Sequence, residues 1–187
     1  MKIYAIVAHD RKDSLTHHLF NFTVECLIKK NNEVDILDLY DRANEIPFYW
    51  SDKSKLTAYP FFEENKNRFM KADRLVIVFP IYWYSTPGIL KCWIDLITSY
   101  AWRYEQGFCA RALHSIKKTL VITTSMSPSW YNKYLLGNPV QNQLMHTCKW
   151  MGIYRSLFYE IGDTKNLTDK KMEYHKNMII SLCNKLM

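Results

Sequence analysis

The stretch from Arg74 to Tyr100, RLVIVFPIYWYSTPGILKCWIDLITSY, decides the fold of this chain. It opens with a continuous apolar run, Leu75 to Phe79, which is typical of a strand covered on both faces, as in a parallel sheet. Pro80 cannot donate to a strand ladder and ends the strand, while Pro87 suits the first turn of a helix. The aromatic loop 80–86 therefore follows the carboxyl end of a strand, where open α/β sheets bind ligands.

The rest of the chain repeats this alternation of strand and helix. The patterns predict strands at 2–8, 33–39, 75–79, 117–124 and 153–161, and helices at about 15–30, 58–71, 87–100, 140–151 and 168–186. Asp13 or Ser14 is expected to cap the first helix, Thr168 the last, and Gly152 to end the fourth. Segments 40–57, 101–115 and 125–139 are expected to be irregular, the last with room for a helical turn.

Five alternations predict one α/β domain over residues 1–187 with helices on both faces of a parallel sheet. For five strands, the best-known solution is the flavodoxin-like three-layer sandwich with strand order 2-1-3-4-5. In that order, the loops after the first, third and fourth strands border one crevice.

Composition excludes several classes of protein. The chain has 187 residues, 48% of them hydrophobic and 23% charged, which is ordinary for one globular domain. The formal charge of +7 favours anionic partners, but no Lys/Arg run exceeds two residues, so nucleic-acid binding is not expected. The five cysteines show neither metal-ligand nor CxxC spacing, so no metal site is expected. No signal peptide or membrane span is indicated, and the expected location is cytoplasmic.

The crevice loops carry the candidate chemistry. Loop 9–16 leads into a helix N-terminus, which attracts phosphate through free N–H groups and the helix dipole, although plain capping by Ser14 is an equal alternative. Trp83 and Tyr84 offer flat walls or packing surfaces, and loop 123–131 is polar, like a ligand-contacting turn or an ordinary one. Walker A, GxGxxG, HExxH and GxSxG motifs are absent, which argues against nucleotide hydrolysis, dinucleotide-binding Rossmann folds, zinc proteases and serine hydrolases.

A longer motif is more specific. The segment Phe79 to Asp95, FPIYWYSTPGILKCWID, resembles the signature FP-x-x-W-x-x-x-P-x-x-L-K-x-W-x-D of NAD(P)H:quinone oxidoreductases of flavodoxin-like fold. That family includes mammalian quinone reductases and the ancillary oxidoreductases of bacterial potassium-efflux systems. The segments 8–14 (A-H-x(4)-S), 117–124 (KKTLVITT) and 151–154 (MGIY) follow in the family's order and spacing, so the resemblance covers nearly the whole chain.

The resemblance implies an enzyme, a homodimeric flavoprotein that takes hydride from NAD(P)H and passes it to a quinone, nitro or azo acceptor by ping-pong through flavin N5. FMN is expected rather than FAD, because the chain lacks the C-terminal extension of longer family members.

The resemblance also assigns residues by position. The flavin phosphate would be held by His9, Ser14, Leu15 and Thr16. The ring edge would be lined, mostly by backbone, by Pro80, Ile81, Tyr82, Trp83 and Tyr84, and the pyrimidine end by Thr123, Thr124, Ser125 and Met126. Tyr131 matches a substrate-pocket tyrosine and is the catalytic candidate, and Trp102 and Tyr104 match aromatics that reach the partner subunit's pocket.

The chain departs from the family pattern at three places. Tyr82 stands where the family often has Gln, Ser125-Met126 where it often has two glycines, and Leu136-Gly137 near an expected histidine. Glycine allows unusual dihedrals and close backbone approach, so Ser125-Met126 is an argument for weaker flavin binding. The alternative function is accordingly a redox-sensing regulatory partner of a membrane transporter or channel, with little catalysis of its own.

Overall fold

The computed structural model describes residues 1–47, 56, 59–105 and 110–187. In chain order its strands are β1 (Lys2–Val7), β2 (Glu33–Asp38), β3 (Arg74–Pro80), β4 (Trp102–Tyr104), β5 (Ala110–Ala112), β6 (Lys118–Thr124) and β7 (Arg155–Ile161). Five of them form a sheet with the order β2-β1-β3-β6-β7, and every neighbouring pair is parallel. The predicted order 2-1-3-4-5 is confirmed.

Five α-helices connect and cover these strands. They are α1 (Leu15–Ile28), α2 (Pro60–Lys71), α3 (Gly88–Thr98), α4 (Pro139–Trp150) and α5 (Asp169–Leu186). Ser14 and Thr168 cap α1 and α5, each accepting a backbone N–H three residues further on. Both caps satisfy a donor that the helix itself leaves unpaired, which is why the chain enters a helix there.

The sheet is buried on both faces, so the molecule has three layers. Along β1, Ile3, Ala5 and Val7 point to one face and Tyr4 and Ile6 to the other, and all are buried. The first face packs against α1 and α5, and the second against α2, α3 and α4. This double burial explains the continuous apolar run that predicted β3.

Several segments differ from the sequence-based expectation. Within 101–115, expected to be irregular, β4 and β5 pair antiparallel as a separate two-stranded sheet. The helical turn within 125–139 is a π-helical segment, Tyr131–Leu135. Pro87 is the N-cap of α3 rather than its first residue. Of the expected loop 40–57, the part up to residue 47 contains a 3₁₀ turn, Ala43–Glu45, while 48–55, 57 and the expected helix start at Ala58 lie outside the described residues.

Strand register brings three loops together at one end of the sheet. The ladder continues past the strand ends through hydrogen bonds from Ala8 N to Val78 O (3.0 Å) and from Ile81 N to Thr124 O (2.8 Å). The loops after β1, β3 and β6 therefore leave the sheet side by side. None of the described helices has the length and apolarity of a membrane-spanning helix.

Candidate functional site

A cavity of about 740 Å³ lies where the three loops converge. Its volume is within the roughly 300–1,000 Å³ typical of small-molecule sites, and its position at the strand order's reversal is where open α/β sheets bind ligands. The loops after β1, β3 and β6 supply most of its walls, with further residues from the π-helical segment and from the loop after β7. The lining residues are His9, Arg11, Ser14, Leu15, Thr16, Pro80, Ile81, Tyr82, Trp83, Tyr84, Thr124, Ser125, Met126, Ser127, Asn132 and Thr164.

Of the thirteen residues that the resemblance assigned to the cofactor, only Thr123 does not line this cavity. Its side chain is fully buried at the end of β6, and its Oγ1 has no hydrogen-bond partner among the described residues. Tyr131 does not line it either and packs edge-on against Trp130. Trp102 and Tyr104 lie away from the cavity on β4, with their rings in edge contact at 4.7 Å.

Four lining residues were not assigned from the sequence. Arg11 and Ser127 belong to loops 9–16 and 123–131, which the sequence predicts at the crevice, but neither residue was assigned a role. Asn132 and Thr164 carry no signal in the sequence, because a π-helical turn and the short loop after β7 bring them to the cavity.

The first loop forms the polar end of the cavity around the start of α1. The hydroxyls of Thr16 and Thr124 lie 2.9 Å apart and join the first turn of α1 to the end of β6. Lys12 pairs with Asp38 and Asp41, whereas Arg11 lines the cavity. The helix N-terminus and one guanidinium thus give this end a positive character.

His9 lines the same end of the cavity. Burial lowers the pKa of His9 below its ordinary value, more than the carboxylate of Asp10 raises it. Nδ1 of His9 lies 3.0 Å from the backbone N of Arg11 and 3.0 Å from Oδ1 of Asp10. The first contact needs a lone pair on Nδ1 and the second needs a proton there, so the geometry is compatible with a proton on either ring nitrogen.

The second loop is a tight hairpin tip with two aromatics in an unfavourable conformation. Tyr82 and Ser85 exchange both backbone hydrogen bonds, at 3.0 and 2.9 Å, so Trp83 and Tyr84 are the central residues of a two-residue turn. Both have positive φ, +47° and +59°, as type I′ turns require. Asn and Gly ordinarily fill such positions, so two bulky residues there store backbone strain of the kind found at binding sites.

The third loop is hydrogen-bonded to Glu160 on β7. Ser125 Oγ lies 2.8 Å from Glu160 Oε1 and 2.7 Å from Ser127 O, and its single proton can be donated to either acceptor. Asn132 Nδ2 donates to the same Glu160 oxygen. The Ser125 side chain is therefore occupied within the protein, and the cavity stays open beside it. Oδ1 of Asn132 is buried without a partner among the described residues, so the network has a free acceptor next to the cavity.

The family assignment rests on a match over most of the chain. Residues 1–179 match the model of a protein family described as having a flavodoxin-like fold. The chain belongs to this family. Among the described residues no cluster of His, Cys, Asp and Glu side chains is placed to hold a metal ion.

Curated relatives of this flavodoxin-like chain carry oxidoreductase names. It is 33% identical to the uncharacterized NAD(P)H oxidoreductase YcaK of Escherichia coli strain K12, over 57% of each chain, so the match spans little more than half of that relative. It is 26% identical to the uncharacterized NAD(P)H oxidoreductase YrkL of Bacillus subtilis strain 168, over 94% of this chain and 98% of the relative. NAD(P)H dehydrogenase (quinone) 1 of Cavia porcellus is 28% identical over 85% of this chain and 68% of its own length.

Solved structures share the fold at low identity. The NAD(P)H:quinone oxidoreductase from Methanothermobacter marburgensis superposes with a TM-score of 0.83 at 17% identity, covering 100% of this chain and 96% of that one. An FMN-dependent NADH-azoreductase from Bacillus anthracis, solved with FMN, gives 0.82 at 18% identity, covering 100% and 99%. At these identities the likeness establishes the common architecture.

Proposed function

We propose that this chain is an NAD(P)H oxidoreductase of the quinone-reductase and azoreductase type, with FMN as its cofactor. The observation that carries the proposal is the cavity of about 740 Å³ at the strand reversal, with a helix N-terminus at one end and an aromatic hairpin tip at the other. Relatives named NAD(P)H oxidoreductases and quinone dehydrogenases, and a structural neighbour that binds FMN, support the same enzyme class.

The polar end suits a phosphomonoester. Ser14 and Thr16 place hydroxyls at the first turn of α1, where unpaired backbone N–H groups and the helix dipole favour an anion. Arg11 adds a positive charge, and the ring of His9 adds a polar group. FMN ends in such a phosphate, and this end therefore supports FMN rather than a flavin without phosphate.

The hairpin end suits a flat aromatic ring. Ile81, Tyr82, Trp83 and Tyr84 form one wall, and the loop from Thr124 to Ser127 forms the opposite polar edge. Trp83 is 94% exposed, so it offers a free aromatic face at the mouth of the cavity. Asn132 lines this polar edge as well, and its buried Oδ1 has no hydrogen-bond partner among the described residues.

A bound flavin would supply a site that accepts hydride from NAD(P)H and then donates it to a quinone or azo acceptor, so the two substrates would use one pocket in turn. The chain's own residues would bind the phosphate, orient the ring and exclude water. Tyr131 is proposed to touch the acceptor, and Trp102 and Tyr104 to complete the pocket of a partner subunit in a homodimer. The regulatory alternative is not favoured, because Ser125 leaves the cavity open.

The test is spectroscopic. We expect the purified protein to retain one FMN after gel filtration, to lose the flavin absorption near about 450 nm when NADPH or NADH is added without oxygen, and to recover it on adding a quinone. Thr16→Val keeps the side-chain shape but removes a phosphate donor, and it should weaken FMN binding at least about tenfold, since hydrogen bonds to charged groups contribute about 1.5–3 kcal/mol.

Thr23→Val is the matched control, because Thr23 lies on the same helix with its hydroxyl bonded to Leu19 O, away from the cavity. Riboflavin, which lacks the phosphate, should bind the wild type and Thr16→Val equally. A protein that retains no FMN, or that holds FMN without reduction by either nicotinamide, would contradict the proposal.

A further inference from the structure

A buried histidine and carboxylate lie directly behind the proposed phosphate end. His17, in the first turn of α1, is 5% exposed, and its Nε2 lies 2.7 Å from Oδ2 of Asp38 at the end of β2. Its other ring nitrogen, Nδ1, lies 3.3 Å from Oγ of Ser14, which lines the cavity. The ring therefore links a carboxylate outside the cavity to a hydroxyl at its wall.

The carboxylate is ionised at neutral pH. Burial opposes the charge on Asp38, but hydrogen bonds from Lys12, His17 and the backbone N–H of Tyr40 outweigh it, so the pKa of Asp38 lies below its ordinary value. Lys12 holds Oδ2 together with His17, and Tyr40 N donates to Oδ1 at 3.0 Å. An ionised carboxylate only accepts hydrogen bonds, so Nε2 of His17 carries a proton.

The state of Nδ1 then decides where the Ser14 hydroxyl points. Ser14 Oγ already accepts the backbone N–H of His17 at 3.2 Å, and a serine hydroxyl has two acceptor positions and one donor. If His17 is neutral, its Nδ1 is an acceptor and draws the Ser14 proton away from the cavity. If His17 is protonated, Nδ1–H fills the second acceptor position of Ser14, and the hydroxyl proton is free to donate into the cavity.

We infer that His17 and Asp38 are positioning residues that turn the Ser14 hydroxyl toward an anionic phosphate in the cavity, and that His17 takes up a proton when the phosphate binds. The inference rests on the proposed function for the identity of the ligand. Its chemistry requires only a phosphate dianion at the start of α1. The proton comes from solvent, and no covalent bond to the ligand forms or breaks.

Other charged and titratable groups near His17 could also change their protonation when phosphate binds. His9 is the other histidine at this end, with its ring 6.2 Å from that of His17, and it lines the cavity itself. The charged and titratable groups around the pair come from β2 and the loops after β1, β2 and β3, and they are Asp10, Arg11, Lys12, Asp13, Asp38, Tyr40, Asp41 and Tyr82. None of these is a residue type that ordinarily titrates near neutral pH.

Uptake of a proton on binding makes phosphate affinity fall as pH rises. A bound phosphate that raises the pKa of the imidazole by one unit strengthens binding about tenfold at low pH, and this gain is lost above the raised value. The phosphate's own second ionisation, near about pH 6, has the opposite sign. From about pH 7 upward that ionisation is nearly complete, so measurements between about pH 7 and 8.5 report proton uptake by the protein.

The experiment is titration calorimetry of FMN into the wild type across that range, in two buffers of different ionisation enthalpy. The expected result is net proton uptake and a dissociation constant that rises about tenfold per unit of pKa shift, with no such dependence for riboflavin. His17→Gln should abolish the uptake. His18→Gln, at the exposed neighbouring position of α1, should retain it.

Each outcome decides one question. FMN binding without uptake, or uptake that persists in His17→Gln and vanishes in His9→Gln, overturns the inference and leaves the proposed function standing. If FMN does not bind at any pH, the proposed function fails, and inorganic phosphate becomes the probe. Stabilisation of the wild type that weakens as the pH rises and is lost in His17→Gln supports the inference, and its absence overturns it. If His17→Gln does not fold, Asp38→Asn replaces it and should reduce the uptake.

Discussion

Replacing Trp83 by Asn should make the protein more stable and bind flavin less well. Trp83 has φ of +47° at the first central position of the hairpin tip, where Asn is well tolerated and a bulky side chain is not. Its side chain is 94% exposed, so almost no buried apolar area is lost when it is removed. At this position the relief of backbone strain can therefore be measured without a large loss of hydrophobic burial.

The magnitudes follow from these two observations. A non-glycine residue in the left-handed region costs about 1–2 kcal/mol, and Asn recovers roughly 1 kcal/mol of it. For a chain of this size, that raises the midpoint of thermal unfolding by about 2–4 °C. On the binding side, loss of an aromatic contact worth about 0.5–1.5 kcal/mol weakens FMN binding by a factor of about 2 to 13.

Urea unfolding of the flavin-free protein measures the first effect, and quenching of FMN fluorescence measures the second. Trp130→Asn is the matched control: Trp130 is also exposed, but its φ is −63°, so Asn there relieves no strain. Stability should rise only for Trp83→Asn. Equal or lower stability than wild type would refute the argument from strain, and stronger FMN binding would refute the placement of the ring against the hairpin.

Two further predictions concern the frame around the site. Gly162→Ala should cost about 1–3 kcal/mol of stability, because an added Cβ would lie 2.6 Å from the Ser127 carbonyl oxygen. Gly88→Ala is the control and should cost nothing, because nothing lies within 4 Å of a Cβ added there. Equal urea midpoints for the two variants would contradict this prediction. Asn65→Leu should cost about 2–5 kcal/mol of stability, since it removes the acceptor of the buried Tyr4 hydroxyl and of the Trp93 N–H. A loss of stability under about 1 kcal/mol in thermal unfolding would show that these hydrogen bonds do not stabilise the fold.

The main sheet was predictable because each strand leaves a pattern within its own sequence: an apolar run marks the strand, and a residue that disfavours strands can mark its end. The run from Leu75 to Phe79 is apolar at every position, since both faces of β3 are covered, and Pro80 marks its end. The short strands β4 and β5 were not predictable in the same way. Each has three residues, which is too short to show an alternation of apolar and polar residues.

The cavity was predictable to the extent that it consists of loops that follow strands. Strand order alone brings the loops after β1, β3 and β6 to one edge, so residues such as Thr16 and Thr124 could be named before their 2.9 Å contact was known. His17 and Asp38 could not be paired in this way. They are 21 positions apart, and the contact depends on the side-by-side register of β1 and β2, which no local pattern contains.

The third loop carries Ser125-Met126 where the family often has two glycines, and the weaker flavin binding that this predicts stays a prediction. Ser125-Met126 was expected to hinder the site, because glycine permits close backbone approach. The close approach in this protein is between the loops after β6 and β7, and Gly162 supplies it from the other side, with its N–H bonded to Ser129 Oγ at 3.0 Å. The side chain of Ser125 is in turn hydrogen-bonded to Glu160 on β7. In this chain the glycine at the contact between the two loops therefore stands in the loop after β7.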